Sequence, residues 1–181
     1  MQPSSEQTPQ ASLVPMDPIA SAKMQAGLRA QYLQQAYNSA GSNFYTIAVL
    51  SLINSVIALF QGSLYFPIGL GVTQIVDAFA GALAQEIGDG GIVFRLIGLA
   101  IDLVILGIVA IFGFFTKRKI KWLIPVGSVL YLLDGIILLF FQDWIGAALH
   151  AYFLYQIWRS WQAIRALSTS DAPQSAIESP L

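Results

Sequence analysis

The amino-acid sequence predicts an all-α membrane protein: a bundle of four transmembrane helices with one further interfacial or re-entrant helix. Of its 181 residues, 56% are hydrophobic and only 10% are charged, whereas soluble domains carry about 25% charged residues. Four stretches of mostly apolar residues are each long enough to cross the ~30 Å hydrocarbon core of a bilayer. A cluster of basic residues between the second and third of these stretches gives the bundle an orientation.

The two ends of the chain have a different composition from the middle. Residues 1–18 are rich in Gln, Ser and Pro, which predicts a disordered tail. Residues 19–41 consist of good helix formers and end in a glycine, which predicts a short cytoplasmic helix that stops at Gly41. Residues 167–181 return to tail composition, so the membrane bundle is predicted to occupy residues 42–166.

Four spans and one ambiguous stretch make up the predicted bundle. The spans are residues 44–62, 91–115, 121–141 and 144–163. A fifth apolar stretch, residues 64–84, also contains Gln74 and Asp77, and one Asp at the centre of a span costs roughly 2.5–3.5 kcal/mol. Thr73, Gln74 and Asp77 share one helical face, as in a helix that lies in the interface or dips partway into the bilayer. The alternative is that residues 64–84 form a fifth span.

The distribution of basic residues favours four spans. The segment from Thr116 to Lys121 is the strongest basic cluster and is therefore predicted to be cytoplasmic. With four spans both termini lie in the cytoplasm, and eight of the nine Lys and Arg residues are on that side. With five spans the number falls to six. We therefore predict a protein of the inner (cytoplasmic) membrane with both termini cytoplasmic.

Composition and motifs argue against several classes of function. Nine basic residues against ten acidic ones do not suggest a nucleic-acid-binding protein. The absence of cysteine from the sequence excludes disulfides and thiolate chemistry. The sequence contains no HExxH, GxSxG, Walker or CxxC motif, and only one histidine. We therefore expect no enzymatic activity, no cofactor and no metal site.

Four polar residues are predicted to lie at a similar depth, ~10–16 Å below the outer interface at about 1.5 Å per residue. They are Asn54, Asp102, Asp134 and His150. Such residues either form hydrogen bonds that hold helices together or mark a path for protons or cations. The structural interpretation is favoured, because four spans leave little room for a solute cavity.

Short motifs also carry a resemblance over residues 44–166. They are Ser51-Leu52-Ile53-Asn54-Ser55, Gly69-Leu70-Gly71-Val72-Thr73-Gln74, Leu133-Asp134-Gly135, Asp143-Trp144, His150-Ala151 and Trp158-Arg159. In these motifs the chain resembles small bacterial multi-spanning inner-membrane proteins of unknown function. The resemblance implies a bacterial cytoplasmic membrane and no particular mechanism.

The favoured function is that of a multi-pass membrane protein without catalytic activity, such as an accessory or assembly subunit. Its partners would be the lipid bilayer and other membrane subunits or copies of itself. The alternative is a small proton- or cation-linked transporter or channel. The two classes differ in what they require of the buried acids, since only transport depends on their titration.

Overall fold

The computed structural model describes residues 17–60 and 69–169, apart from the side chain of Asp89, and these residues are almost entirely helical. The helices are α1 (Pro18–Leu59), α2 (Gly71–Ile87), α3 (Ile92–Lys117), α4 (Leu123–Phe140) and α5 (Trp144–Thr169). The described residues contain no strand, so the predicted all-α class is confirmed. Most of both predicted tails, and residues 64–68 of the fifth apolar stretch, lie outside the described residues.

The apolar helices identify a membrane protein. Among the described residues α1, α3 and α4 are long and apolar enough to cross a bilayer. Their outward faces carry large apolar side chains, such as Val104 and Leu133, that are more than half exposed, and soluble proteins rarely leave large surfaces of this kind open to water. The fourth predicted span, in α5, does not belong to this set of three because His150, Gln156 and Arg159 interrupt its apolar sequence.

Helix α1 is continuous, so the helix end predicted at Gly41 does not occur there. Asp17 caps its N-terminus by accepting a hydrogen bond from the Ile19 backbone N–H at 3.0 Å, and Pro18 occupies the first turn. Gly41 lies where α1 meets α3. A Cβ atom at this position would come within 2.7 Å of the Gly113 carbonyl oxygen. The glycine therefore permits close helix contact and does not end the helix.

Helix α1 runs antiparallel to both α3 and α5. Near one end of the bundle, Arg95 of α3 donates a hydrogen bond to the carbonyl oxygen of Ala58 at 3.1 Å. Near the other end, the Arg29 side chain donates to the carbonyl oxygen of Leu167 at 2.9 Å. This contact satisfies a carbonyl group in the last turn of α5. It helps to explain why α5 continues to Thr169, past the predicted boundary at residue 166.

Helix α2 begins inside the bundle. It lies antiparallel to α3, with Ala80 against Gly98, and therefore parallel to α1. Gly69, just before α2, contacts Ser51 of α1. Since Ser51 lies about two turns before the end of α1 at Leu59, the chain resumes well below that end. From there α2 runs towards the end of the bundle at which α1 finishes.

Candidate functional site

The start of α2 is held by side chains from other helices. The first four backbone N–H groups of a helix have no partner within it. The N–H of Leu70, the residue just before α2, donates to Ser51 Oγ at 2.8 Å. The carboxyl group of Asp134 accepts from the N–H of Gly71 at 2.7 Å and from the N–H of Val72 at 2.9 Å. Asp134 of α4 thus acts as an N-cap for α2, with its carboxyl group at the positive end of the helix dipole.

His150 of α5 binds the same carboxyl group. Its Nε2 lies 2.8 Å from Asp134 Oδ2, and its Nδ1 lies 2.9 Å from the carbonyl oxygen of Gly146. Because a carbonyl oxygen only accepts, Nδ1 carries a hydrogen, and the Nε2–Oδ2 contact then shares one proton between imidazole and carboxyl group. Gly135 permits the close approach, and the Tyr131 ring stacks on the imidazole with centroids 4.2 Å apart.

We call Ser51, Tyr131, Asp134 and His150 the cap cluster. Each of these residues is more than nine-tenths buried. Asp134 nevertheless has three hydrogen-bond contacts, and Ser51 also donates to the Ile47 carbonyl oxygen at 2.9 Å. Buried polar groups are tolerated when they are paired in this way. The hydrogen bonds of the cap cluster therefore connect α1, α4 and α5 to the start of α2 and stabilise the bundle.

A second group of polar side chains lies where α1, α2 and α3 meet. Asp77 of α2 and Asp102 of α3 interact with each other, and Ser55 of α1 lies beside both. We call Asp77 and Asp102 the carboxyl pair. Ser55 is one turn beyond Ser51 on α1, so this group lies about 6 Å along the helix from the cap cluster.

The carboxyl pair lacks the hydrogen bonds that satisfy the cap cluster. Asp102 has 0% of its surface exposed, and within residues 17–60 and 69–169 no donor reaches either of its carboxyl oxygens in hydrogen-bonding geometry. In the same described ranges, Asp77 Oδ2 and Ser55 Oγ also have no hydrogen-bond partner. Two neighbouring carboxylates removed from water repel each other and lose their hydration. The site therefore calls for a positive charge, either a proton shared by the two carboxyl groups or a bound cation.

The structure buries all four residues of the predicted polar layer but divides them between two places. Asp134 and His150 contact each other in the cap cluster, and Asn54 lies beside Gly69, just before α2. Asp102 is separated from these three residues and faces Asp77 instead. Depth along a span does not reveal which helix lies between two side chains. Here α2 brings a carboxyl group of its own to Asp102.

Four residues of the two polar groups lie outside the predicted layer, although each carries a signal in the sequence. Asp77 lies on the polar face of α2 that the sequence indicates. Ser51 lies one turn from Ser55, and Tyr131 lies three residues before Asp134, so each pair shares a helical face. These spacings show which residues face the same way. They do not show which faces meet.

Comparison with known proteins gives no relative from which a function could be transferred. No family model, curated protein or solved structure matches this chain. Function is therefore inferred from the geometry and chemistry of the chain itself.

Proposed function

We propose that this chain is a small non-catalytic membrane protein that takes up a proton or a small cation at the carboxyl pair. We further propose that it couples this uptake to the movement of an ion or solute across a bacterial inner membrane. The observation that carries the proposal is that neither oxygen of the fully buried Asp102 accepts a hydrogen bond of good geometry from the described residues, although Ser55 and Asp77 lie beside it. Ionisable groups inside a membrane are costly and typically mark ion or proton pathways. The structural interpretation accounts for Asp134, which has three contacts, but not for Asp102.

The arrangement of helices around the carboxyl pair supports this function. Asp77, Asp102 and Ser55 come from three different helices, so a shift of α2 against α1 and α3 changes the distances among them. Helix α2 also begins inside the bundle, and discontinuous helices that begin at bilayer depth form the ion sites of many transporters. A proton or cation that draws the two carboxyl groups together favours one position of α2 over another, as coupling requires.

We propose a four-span topology in which α1, α3, α4 and α5 cross the bilayer and α2 is re-entrant. The start of α2 beside Ser51, and its direction parallel to α1, support entry and exit on the same side. Eight of the nine Lys and Arg residues lie towards the opposite end, where Arg29 meets Leu167 and Gly41 meets Lys117. Such an excess is typical of the cytoplasmic side, so both termini would be cytoplasmic.

Cysteine labelling tests this topology, because the chain has no cysteine of its own. In intact cells we expect Gly90→Cys to react with a membrane-impermeant maleimide. Lys119→Cys and Lys23→Cys are expected to react only after permeabilisation. Labelling of Lys23→Cys from outside, with Lys119→Cys still protected, would contradict four spans and indicate five.

Proteoliposomes test the proposed coupling. With a pH or Na⁺ gradient across vesicles that contain a pH-sensitive dye, the purified protein is expected to speed the change of internal pH. Asp102→Asn and Asp77→Asn are each expected to reduce the rate to that of protein-free vesicles, because an amide cannot take up the proton or neutralise the cation.

The matched control is Glu86→Gln, which removes a carboxyl group from the exposed end of the same helix α2. This variant is expected to keep the full rate. Circular dichroism and size-exclusion chromatography confirm that each variant is folded. Undiminished flux in both Asn variants would contradict the proposal. A rate that requires Na⁺ would show that the carboxyl pair binds Na⁺ and not a proton.

A second candidate is an accessory or assembly subunit of a larger membrane complex. Met24, Leu28 and Tyr32 are spaced by four residues on α1 and are 51%, 46% and 61% exposed. They lie on the part of α1 before Gly41, which extends past Lys117 at the end of α3. An apolar stripe at this spacing is typical of a surface covered by a partner. Wild-type protein that gives no flux and is released from its membrane as a stoichiometric heteromeric complex would select this function.

A further inference from the structure

An apolar cavity of about 180 Å³ lies between α1, α3 and α4, below the start of α2. Phe44, Phe112 and Gly127 line the part nearest the loop that joins α3 to α4. Tyr131 and Asp134 of the cap cluster line the opposite part. The cavity exists because α2 begins inside the bundle and leaves the space between α3 and α4 below it unfilled.

The cavity opens onto the lipid-facing surface of the bundle. Ile108 of α3 and Leu130 of α4 both line it, and each is about half exposed. An apolar cavity of about 150 Å³ is sufficient to hold benzene. The present cavity therefore has room for a segment of about six carbons of a hydrocarbon chain.

Basic residues lie next to the part of the cavity that is nearest the loop between α3 and α4. The loop that joins α3 to α4 carries Lys119 and Lys121, both exposed, and every charged residue in it is positive. Gly127 lies about 6 Å along α4 from the first residue of that helix, Leu123, and Lys121 lies two residues before the helix. This separation is suited to a molecule whose charged group lies at the loop and whose apolar part enters the bundle.

We propose that the cavity binds one acyl chain of an anionic phospholipid whose phosphate is held by Lys119 and Lys121. The apolar lining and the opening towards lipid select the acyl chain, and the positive loop selects an anionic headgroup. A zwitterionic phospholipid would also fill the cavity, but the positive charge of its headgroup offsets its phosphate and weakens the attraction to the basic loop. This proposal does not depend on the function of the carboxyl pair.

The headgroup contacts are tested by native mass spectrometry of the protein with phosphatidylglycerol and phosphatidylcholine that have identical acyl chains. Wild type is expected to retain phosphatidylglycerol preferentially. The double variant Lys119→Gln/Lys121→Gln is expected to lose about 30-fold in affinity for it, because each basic residue contributes roughly fivefold. Lys23→Gln/Arg165→Gln changes the net charge equally away from the cavity and is expected to have no effect.

The acyl-chain contact is tested by the same substitution at two positions of α3. Val109 lines the cavity, whereas Val104 is 66% exposed on the outer surface. Val109→Phe is expected to weaken retention of both lipids, by roughly fourfold for each methylene displaced, while Val104→Phe retains them. Leu130→Phe, at the half-exposed mouth, replaces Val109→Phe if that variant does not fold.

Two results would overturn the proposal. One is equal retention of phosphatidylglycerol and phosphatidylcholine by wild type. The other is lipid retention by folded Val109→Phe or Leu130→Phe equal to that of Val104→Phe, since an acyl chain in the cavity must be displaced by either ring.

Discussion

Asp134→Ala is expected to lower the free energy of unfolding by about 3–5 kcal/mol, because it leaves several buried polar groups without their partner. The substitution leaves His150 buried without its carboxyl partner and leaves the N–H groups of Gly71 and Val72 without an acceptor. The start of α2 then loses its attachment to α4. Equilibrium unfolding in mild detergent, followed by circular dichroism, measures the change.

Leu133→Ala provides the control, because Leu133 is the neighbouring residue on α4 and is 53% exposed. It is expected to cost less than about 1 kcal/mol. Asp134→Ala and His150→Ala act on one contact, so the double variant should be less destabilised than the sum of the single variants. If Asp134→Ala lowers the free energy of unfolding no more than Leu133→Ala does, the cap cluster does not stabilise the bundle.

Asp102→Asn is expected to have the opposite effect on stability. It should leave the free energy of unfolding unchanged or raise it by about 1–3 kcal/mol, because the native carboxyl group is buried beside Asp77 and has no hydrogen-bond donor among the described residues. An amide at this position can also donate a hydrogen bond to the remaining carboxyl group. A gain in stability with a loss of flux is the usual exchange at a functional site.

The comparison with Asp134→Asn makes this prediction specific, because the chemical change is the same at both positions. Asp134→Asn should lower the free energy of unfolding in the same assay. Both carboxyl oxygens of Asp134 accept hydrogen bonds, whereas an amide has only one oxygen that can accept them. A loss of stability in Asp102→Asn as large as that in Asp134→Asn would show that Asp102 is structural. Infrared spectroscopy gives a second readout: a proton held by the carboxyl pair gives a protonated carboxyl band that is lost in Asp102→Asn, whereas a bound cation gives no such band.

The sequence by itself determined the all-α class, the membrane character and the approximate starts of three of the helices. Residues 91–115, 121–141 and 144–163 correspond to helices α3, α4 and α5, whose starts differ from the predicted ones by at most two residues. Hydropathy and segment length are local properties, so they can be read without knowledge of the partners of a helix. The same holds for the polar face of α2 that contains Asp77.

Only the tertiary structure decided the role of individual glycine and aspartate residues within the helices. Gly41 has the features of a helix end, but its position against Gly113 makes it a contact between two helices. Asp102 and Asp134 are both single carboxyl groups within apolar helices, and no local pattern distinguishes them. The start of α2 supplies backbone donors to Asp134, whereas Asp77, further along α2, supplies a second acid to Asp102. The free energy of a buried carboxyl group depends on the groups that surround it, and the packing of α2 determines those groups.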